Sequence, residues 1–421
     1  MSTDRVFLAI AALLIISCVT GVVSAAGIGT EWKERVPVEA GSFSGVMISA
    51  DGSKVFSGGD QMYLRSWDGE LHWGGRPGFV SAMSRNGDYV AYGLGSALVM
   101  LDKNGNEMWS RNMDADVRAV ALSGDGTYVI SADNRGNINT WSNNGEFYGR
   151  NQTDLVKQIA ISPTNELVVA TTENGLKFFT PALDPIWSDT KNGSIDTSII
   201  ITSDGSTVIT SGGKRVSSHT NSGKINWMND VTSDTITSMA SSDDGSVIVL
   251  GSQDGKVTAM DRYGKVHWAY PAGQWVNSVA VSRYASVIAA AGIDQNLYVL
   301  DHGGKLLVKK QMISIIHPRA IAISADGTRI AVADEYALNG LSLSLEEMTE
   351  QVTLIPRTTT RTTVAVTTVP TIETTIMATP PTQVPVSPGP ATTTAKSPLD
   401  PLMAILAVGA GLSIVLVRGK S

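Results

Sequence analysis

A single tetrapeptide pattern runs through the middle of this chain: a Ser or Thr, then, two residues later, a turn pair. It reads Ser49-Ala50-Asp51-Gly52, Ser84-Arg85-Asn86-Gly87 and Ser123-Gly124-Asp125-Gly126. It wears down at Ser162-Pro163-Thr164-Asn165 and returns at Thr202-Ser203-Asp204-Gly205 and Ser242-Asp243-Asp244-Gly245. A second worn copy is Ser282-Arg283-Tyr284-Ala285, and the last is Ser324-Ala325-Asp326-Gly327. The period is about 40 residues, the length of one supersecondary unit in a repeat protein. Alternating apolar residues flank each copy, such as Val117, Ala119 and Ala121 before and Tyr128, Val129 and Ile130 after. Alternation marks strands, and Asp-Gly between strands marks a tight hairpin, because these residues tolerate φ > 0. A second turn follows at Asp68-Gly69, Asn104-Gly105, Asn144-Gly145, Ser222-Gly223, Tyr263-Gly264 and Gly303-Gly304. Each unit therefore carries four short antiparallel strands, a to d.

Aromatics recur at a fixed offset from the turn. Trp73, Trp109, Tyr148, Trp187, Trp227 and Trp268 follow the turn pair by 22 to 24 residues, and Leu307 holds the slot in the seventh copy. A ring at one place in every unit locks neighbouring units together. The eighth unit has no such ring downstream. Trp32 lies 17 residues before Ser49, the same gap as Leu307 to Ser324. The expectation is an all-β, eight-bladed β-propeller over 29–355, with the N-terminal strand closing the last blade and no free sheet edge. The alternative is seven blades and a terminal cap.

The stretches 101–109 (Leu-Asp-Lys-Asn-Gly-Asn-Glu-Met-Trp) and 260–268 (Met-Asp-Arg-Tyr-Gly-Lys-Val-His-Trp) resemble the tryptophan-docking motif of the eight-bladed quinoprotein-like propellers. The Ser-x-Asp-Gly turns resemble those of WD-repeat propellers. With its termini included, the layout resembles archaeal surface proteins that join a propeller to a Thr-rich stalk and a C-terminal sorting helix. Two departures limit what the resemblance implies. Quinoprotein dehydrogenases hold their cofactor beneath a vicinal cysteine pair, whereas the one cysteine here is Cys18. Such archaeal sorting signals carry Pro-Gly-Phe, and Ser397-Pro398-Leu399-Asp400-Pro401 stands in that place.

The ends read as addresses. Arg5 precedes the apolar run Val6 to Val23, and Ser24, Ala25 and Ala26 follow, the order of a signal peptide over 1–26. Ile15-Ile16-Ser17-Cys18 also fits a lipobox, and an uncleaved anchor is the third reading. Residues 356–397 are Thr- and Pro-rich, too poor in apolar surface to fold, and read as a disordered stalk whose clustered hydroxyls invite O-glycosylation, the alternative being an unmodified disordered linker. Leu402 to Val417 is an uncharged run of 16 residues followed by Arg418 and Lys420. Residues 398–421 thus read as a transmembrane anchor with its basic tail inside and the propeller outside. The expected location is the cell surface.

The chemistry is sparse. Net charge is −7 with no basic tract, which argues against nucleic acid. The five His are scattered, and no metal, cofactor or catalytic motif is present, so neither a cofactor nor a bound metal is expected. One face of a propeller gathers the d–a and b–c loops. There the d–a loops bring Asp116, Asp154, Asp196 and Asp234, and the b–c loops bring Asp60, Asp133, Glu173, Asp254, Asp294, Asp334 and Glu335. Either these carboxylates form a binding face or they only build turns. Tyr270 and Trp275 lie outside the docking register and are candidate ligand platforms. Asn151-Gln152-Thr153 and Asn192-Gly193-Ser194 are N-glycosylation sequons placed in d–a loops. The functional expectation is a non-catalytic envelope propeller binding a protein or glycan. The alternatives are a surface enzyme using axis-facing carboxylates and an envelope-assembly scaffold.

Overall fold

The computed structural model describes residues 26–35, 43–78, 80–189 and 196–345. They form eight antiparallel sheets arranged as successive blades. Blade 2 shows the plan: strand a Val80–Met83, b Tyr89–Leu94, c Ala97–Asp102 and d Glu107–Asn112. Strands a of successive blades lie side by side, so they surround the axis and strands d form the rim. Seven sheets have four strands. In blade 1, b and c run on as one strand, Lys54–Ser66, whose first half pairs with Phe43–Ile48 and second half with Leu71–Gly78. Among the described residues no helix is long and apolar enough to cross a membrane. The expected stalk and anchor, and residues 1–25 of the expected signal peptide, lie outside the described residues.

The repeat builds its own hairpins. In blade 3, Ser123 Oγ donates to Asp125 Oδ1 (2.7 Å) and accepts the amide of Tyr128 (2.9 Å), while Gly126 turns at φ +78°. The hydroxyl is fully buried with its hydrogen-bonding capacity used inside the turn. The worn copies fold the same way without glycine, as Asn165 (φ +60°) and Ala285 (φ +54°) take the left-handed position. In the second hairpin, Asp102 Oδ1 accepts the amides of Asn104 (2.9 Å) and Asn106 (2.8 Å), and Asp261 does the same for Tyr263 and Lys265.

The ring closes through both ends of the chain. Blade 8 has the order Ala26–Arg35, Ala337–Leu345, Arg329–Ala333, Ile321–Ile323, so the N-terminal strand is strand d of the last blade. Eight blades, not seven, are present. The strand begins at Ala26, inside the span assigned to the signal peptide and earlier than the expected start at 29.

The docking rings sit where strand d bulges. Trp32, Trp73, Trp109, Trp187, Trp227 and Trp268 hold one register position, opposite Gly340, Leu64, Met100, Phe178, Ser218 and Ala259. Each ring lies on the c–d turn glycine of the next blade. A Cβ on Gly105 would stand 2.6 Å from Trp73, and one on Gly304 would stand 2.5 Å from Trp268. The indole N–H of Trp109 donates to Asn143 O (2.8 Å), that of Trp227 to Arg262 O (2.7 Å) and that of Trp268 to His302 O (3.0 Å). Trp32 donates to Trp67 O of blade 1 in the same manner.

Two expected docking positions are corrected. Tyr148 is one residue out of register: Gly149 pairs with Thr140 and holds the docking position, while Tyr148 is half exposed and meets Tyr128. The next blade supplies the missing volume, because Leu183 of its c–d turn is fully buried at φ +67°. In blade 7 the position belongs to Val308, opposite Val299, and not to Leu307. No ring is needed there, because strands c and d of blade 8 come from opposite ends of the chain and no c–d hairpin joins them.

Candidate functional site

The two ends of the axis differ. On the a–b turn side, the residues that follow each repeat Ser are linked around the ring by backbone hydrogen bonds. Ala50 N donates to Arg85 O, Arg85 N to Gly124 O, Ser203 N to Asp243 O, Asp243 N to Arg283 O, Arg283 N to Ala325 O and Ala325 N back to Ala50 O. Pro163 has no N–H to give, so the ring is open after it. Across this ring Arg85 of blade 2 reaches Asp243 of blade 6, the blade opposite, and Arg283 Nε joins the same carboxylate at 2.8 Å. The charge of Asp243 holds the Arg283 guanidinium above its ordinary pKa. These ion pairs tie the mouth together. The second residue of the repeat tetrapeptide carries this pairing, but Arg85, Asp243 and Arg283 share no periodic signal that would mark them in the sequence.

On the opposite, d–a and b–c side, several of the expected carboxylates are engaged by hydrogen bonds or ion pairs, while Asp60 and Glu173 are exposed. Asp133 is buried and accepts the amides of Arg135 and Asn137 and the Asn137 side chain. Asp334 is buried and accepts the amides of Tyr336 and Ala337. Asp294 accepts Asn296 and the Tyr298 hydroxyl (2.6 Å), and burial with that bond pushes the phenol pKa up. Burial works against ionisation of Asp254, yet hydrogen bonds from Ser252 and Ser233 lower its pKa overall. Asp154 is held low chiefly by Lys177, 2.7 Å away. Asp116 and Asp234 are exposed. Asp196 opens strand a of blade 5, and its side chain lies outside the described residues. The structure therefore does not gather these groups into one carboxylate centre: it disperses them as turn formers, which is ordinary for loop Asp.

Apolar groups stand out on this face instead. Trp275, in the loop entering blade 7, is 47% exposed. Its carbonyl takes the amide of Ile293, so the backbone is fixed while the ring is presented. Ile313, in the loop entering blade 8, and Tyr336, in the b–c turn of blade 8, are about as exposed (60% and 59%). The loop carrying Ile313 is tied to the turn carrying Tyr336 through Ser314, which donates to Glu335. Neither Ile313 nor Tyr336 was singled out by the repeat, because irregular loop positions carry no periodic signal. Tyr270 is less open than Trp275. It is half-buried against Tyr298, ring centroids 5.6 Å apart. Of the two sequons, Asn151 lies in strand d of blade 3 (Phe147–Gln152) rather than in a loop, and its amide donates to Leu183 O (3.0 Å). Asn192 lies outside the described residues.

A third feature of this face is a bulge near the start of strand a. It falls at Ser44, Arg118, Lys157, Thr197, Thr237 and Asn277, where strand a slips against strand b. Arg319 is the same five residues ahead of its repeat Ser and precedes the short strand a of blade 8. Bulges re-aim side chains and cluster next to functional sites.

A family model described as beta-propeller protein matches residues 179–332. No curated protein sequence matches the chain. Among solved structures, the C-terminal WD40 domain of Sif2 is similar with a TM-score of 0.62 at 14% identity, covering 75% of this chain and 98% of that one. The computationally designed Ika8 protein is similar with a TM-score of 0.61 at 16% identity, covering 73% and 98%. At these identities the likeness speaks for the propeller fold alone.

Proposed function

We propose that this propeller is a non-catalytic binding module of the cell envelope, exported, held to the membrane by its C-terminal segment, and presenting its d–a and b–c loops to a protein or glycan partner. The observation that carries the reading is the exposure of Trp275, Ile313 and Tyr336 on ordered loops of neighbouring blades. Exposed aromatic and aliphatic groups on a rigid frame are the residues that anchor partners. Three carboxylates of this face, Asp133, Asp294 and Asp334, are engaged by hydrogen bonds within their own blades. The export and anchoring parts rest on the two end segments of the sequence.

The test uses the full-length chain purified in detergent, applied to glycan arrays and to solubilised envelope proteins. Trp275→Ala, Ile313→Ser and Tyr336→Ala should each weaken capture about tenfold or more without moving the thermal midpoint. Capture that is indifferent to all three changes would place the interface elsewhere. Protease added to intact cells should release the propeller by cutting in 356–397, and a propeller protected in cells stripped of any outer layer would contradict the outward topology.

A further inference from the structure

The axis end opposite the Arg85–Asp243–Arg283 clasp carries cations of its own. Arg118 and Lys157 occupy the bulge position of blades 3 and 4, Arg319 stands the same five residues ahead of its repeat Ser in the turn entering strand a of blade 8, and all three are exposed although strand a is the innermost strand. Blade 8 stands opposite blade 4 in an eight-membered ring, so Arg319 and Lys157 are placed on opposite sides of the axis with Arg118 one blade away. The remaining described members, Thr237 and Asn277, are neutral and spend their side chains on the carbonyls of Gly251 and Ile316. No carboxylate belongs to this tier.

Arg319 is the unusual member. Its backbone is left-handed at φ +61°, a conformation that costs an L side chain on the order of 1 kcal/mol or more. Burial pushes its guanidinium pKa down, and no charged or hydrogen-bonding partner offsets that effect. None of the ion pairs among the described residues involves Arg118 or Arg319. Lys157 is already engaged by a neighbouring group. The nearby acids are largely answered: Asp154 by Lys177, and Glu335 by Ser314, with His317 at 3.6 Å. Asp116, exposed two residues from Arg118, opposes anion entry, as do Asp60, Glu173 and Asp234, exposed in other loops of the same face.

We propose that the axial mouth on the d–a face is an anion site, in which Arg118 and Arg319, assisted by Lys157, take a carboxylate, phosphate or sulfate group. Guanidinium forks suit these planar or tetrahedral oxyanions. The clasp at the other end leaves this mouth as the open approach. The inference deepens the binding role proposed above by naming a chemistry for part of the ligand, and its test needs no partner.

The full-length chain in detergent is titrated by calorimetry with sodium acetate, phosphate and sulfate in turn, at ionic strength held constant with chloride. Saturable binding of at least one of them, with a dissociation constant on the order of millimolar, is expected. Arg319→Gln and Arg118→Gln should each weaken it about tenfold, whereas Arg135→Gln, on the same face but outside the tier, should change it less than about twofold. Arg319→Gly relieves the backbone strain, so it should raise the thermal midpoint while losing the anion, a pairing that a purely structural arginine would not give. No saturable binding of any of the three anions, or binding that survives both glutamine variants, overturns the site. Which anion binds distinguishes the sources. Acetate points to an acidic side chain or uronate, phosphate or sulfate to an esterified group. Should the apolar loops fail to capture a partner while phosphate still binds, the anion site stands and the partner surface falls.

Discussion

At the seam between blades 5 and 6, strand d supplies the ring of Trp227 and the next turn supplies Gly264, whose absent side chain makes room for it. At the seam between blades 3 and 4 the parts are exchanged. Strand d supplies Gly149, and the turn projects Leu183 into the space. A Cβ on Gly149 would come within 2.1 Å of the Ala182 carbonyl, so the turn has moved in where the ring is missing. The seams teach that what the repeat conserves is volume at the junction rather than a particular residue. Interiors are close-packed, and either partner can provide the bulk provided the other gives way.

The strongest way to break this comparison is to force the consensus on the exchanged seam. Gly149→Trp alone drives a ring into backbone and should cost about 4 kcal/mol or more, enough to unfold much of the protein. Leu183→Gly alone empties a fully buried site and should cost about 3–5 kcal/mol. Made together they recreate a ring on a glycine turn, and the pair should recover about 2–3 kcal/mol relative to the sum of the singles. Chemical denaturation of the four proteins gives the cycle. A double variant that is no better than additive would mean that the two seams are not the same joint.

A second comparison sets Trp109, 6% exposed within the ring, against Trp32, half-buried at its closure. Trp109→Ala should cost about 3–5 kcal/mol. Trp32→Ala, with more of its ring in water, should cost about 2–3 kcal/mol. A Trp32 variant that melts with the parent would show that the N-terminal strand is not the clasp. Smaller again, Gly264→Ala keeps the ring but asks a turn at φ +86° to carry a Cβ 2.9 Å from Trp227, for about 1–3 kcal/mol.

Much of this was legible in the sequence because each blade repeats the same hydrogen-bonding turn. Ser123 and Asp125 must sit where they do for the hydroxyl to meet both Oδ1 and the Tyr128 amide, so the spacing survives in the text. Eight copies and a displaced Trp32 were enough to read the closure. Tyr148 and Leu307 misled because spacing tolerates one residue of slip, whereas strand register does not: one step along a strand sends the side chain to the other face. The exchange of Gly149 and Leu183 left no mark in a search for aromatics. The binding face was the least legible part. Asp133 and Asp334 looked like surface acids, yet each is buried in its own turn. The cross-axis pairing of Arg85 with Asp243 joins residues 158 positions apart and follows only from the ring being complete.

The smallest effect lies at a seam of the first kind, between blades 4 and 5. His219 is buried there, its ring 5.7 Å from Trp187 and 6.1 Å from Phe178, with Nε2 3.0 Å from the Ser217 hydroxyl and Nδ1 unpartnered among the described residues. Burial pushes its pKa down, although the Gly223 backbone and the charge of Asp189 pull in the other direction. The folded protein therefore binds fewer protons at this site than the unfolded chain, so the contribution of His219 to stability rises with pH. It is complete above the unfolded-state value of ~6.5, declines as the pH falls below that, and is gone once the pH has dropped through the folded-state value. Between about pH 7.5 and about pH 5.5 the parent should lose more thermal stability than His219→Gln, which cannot gain the proton. The effect should also be local. Protection against hydrogen exchange, corrected for the intrinsic pH dependence, should fall in acid in Arg215–Thr220 and Pro185–Asp189, whereas in Phe147–Gln152, the strand that carries Gly149 and holds no histidine, it should change little. Equal acid sensitivity at both seams would show that the buried imidazole is not its source. The turn carboxylates could not replace it as the cause, since Asp125, against the effect of its burial, and Asp244 are held down to about 2 by their turn hydrogen bonds and stay ionised across this range.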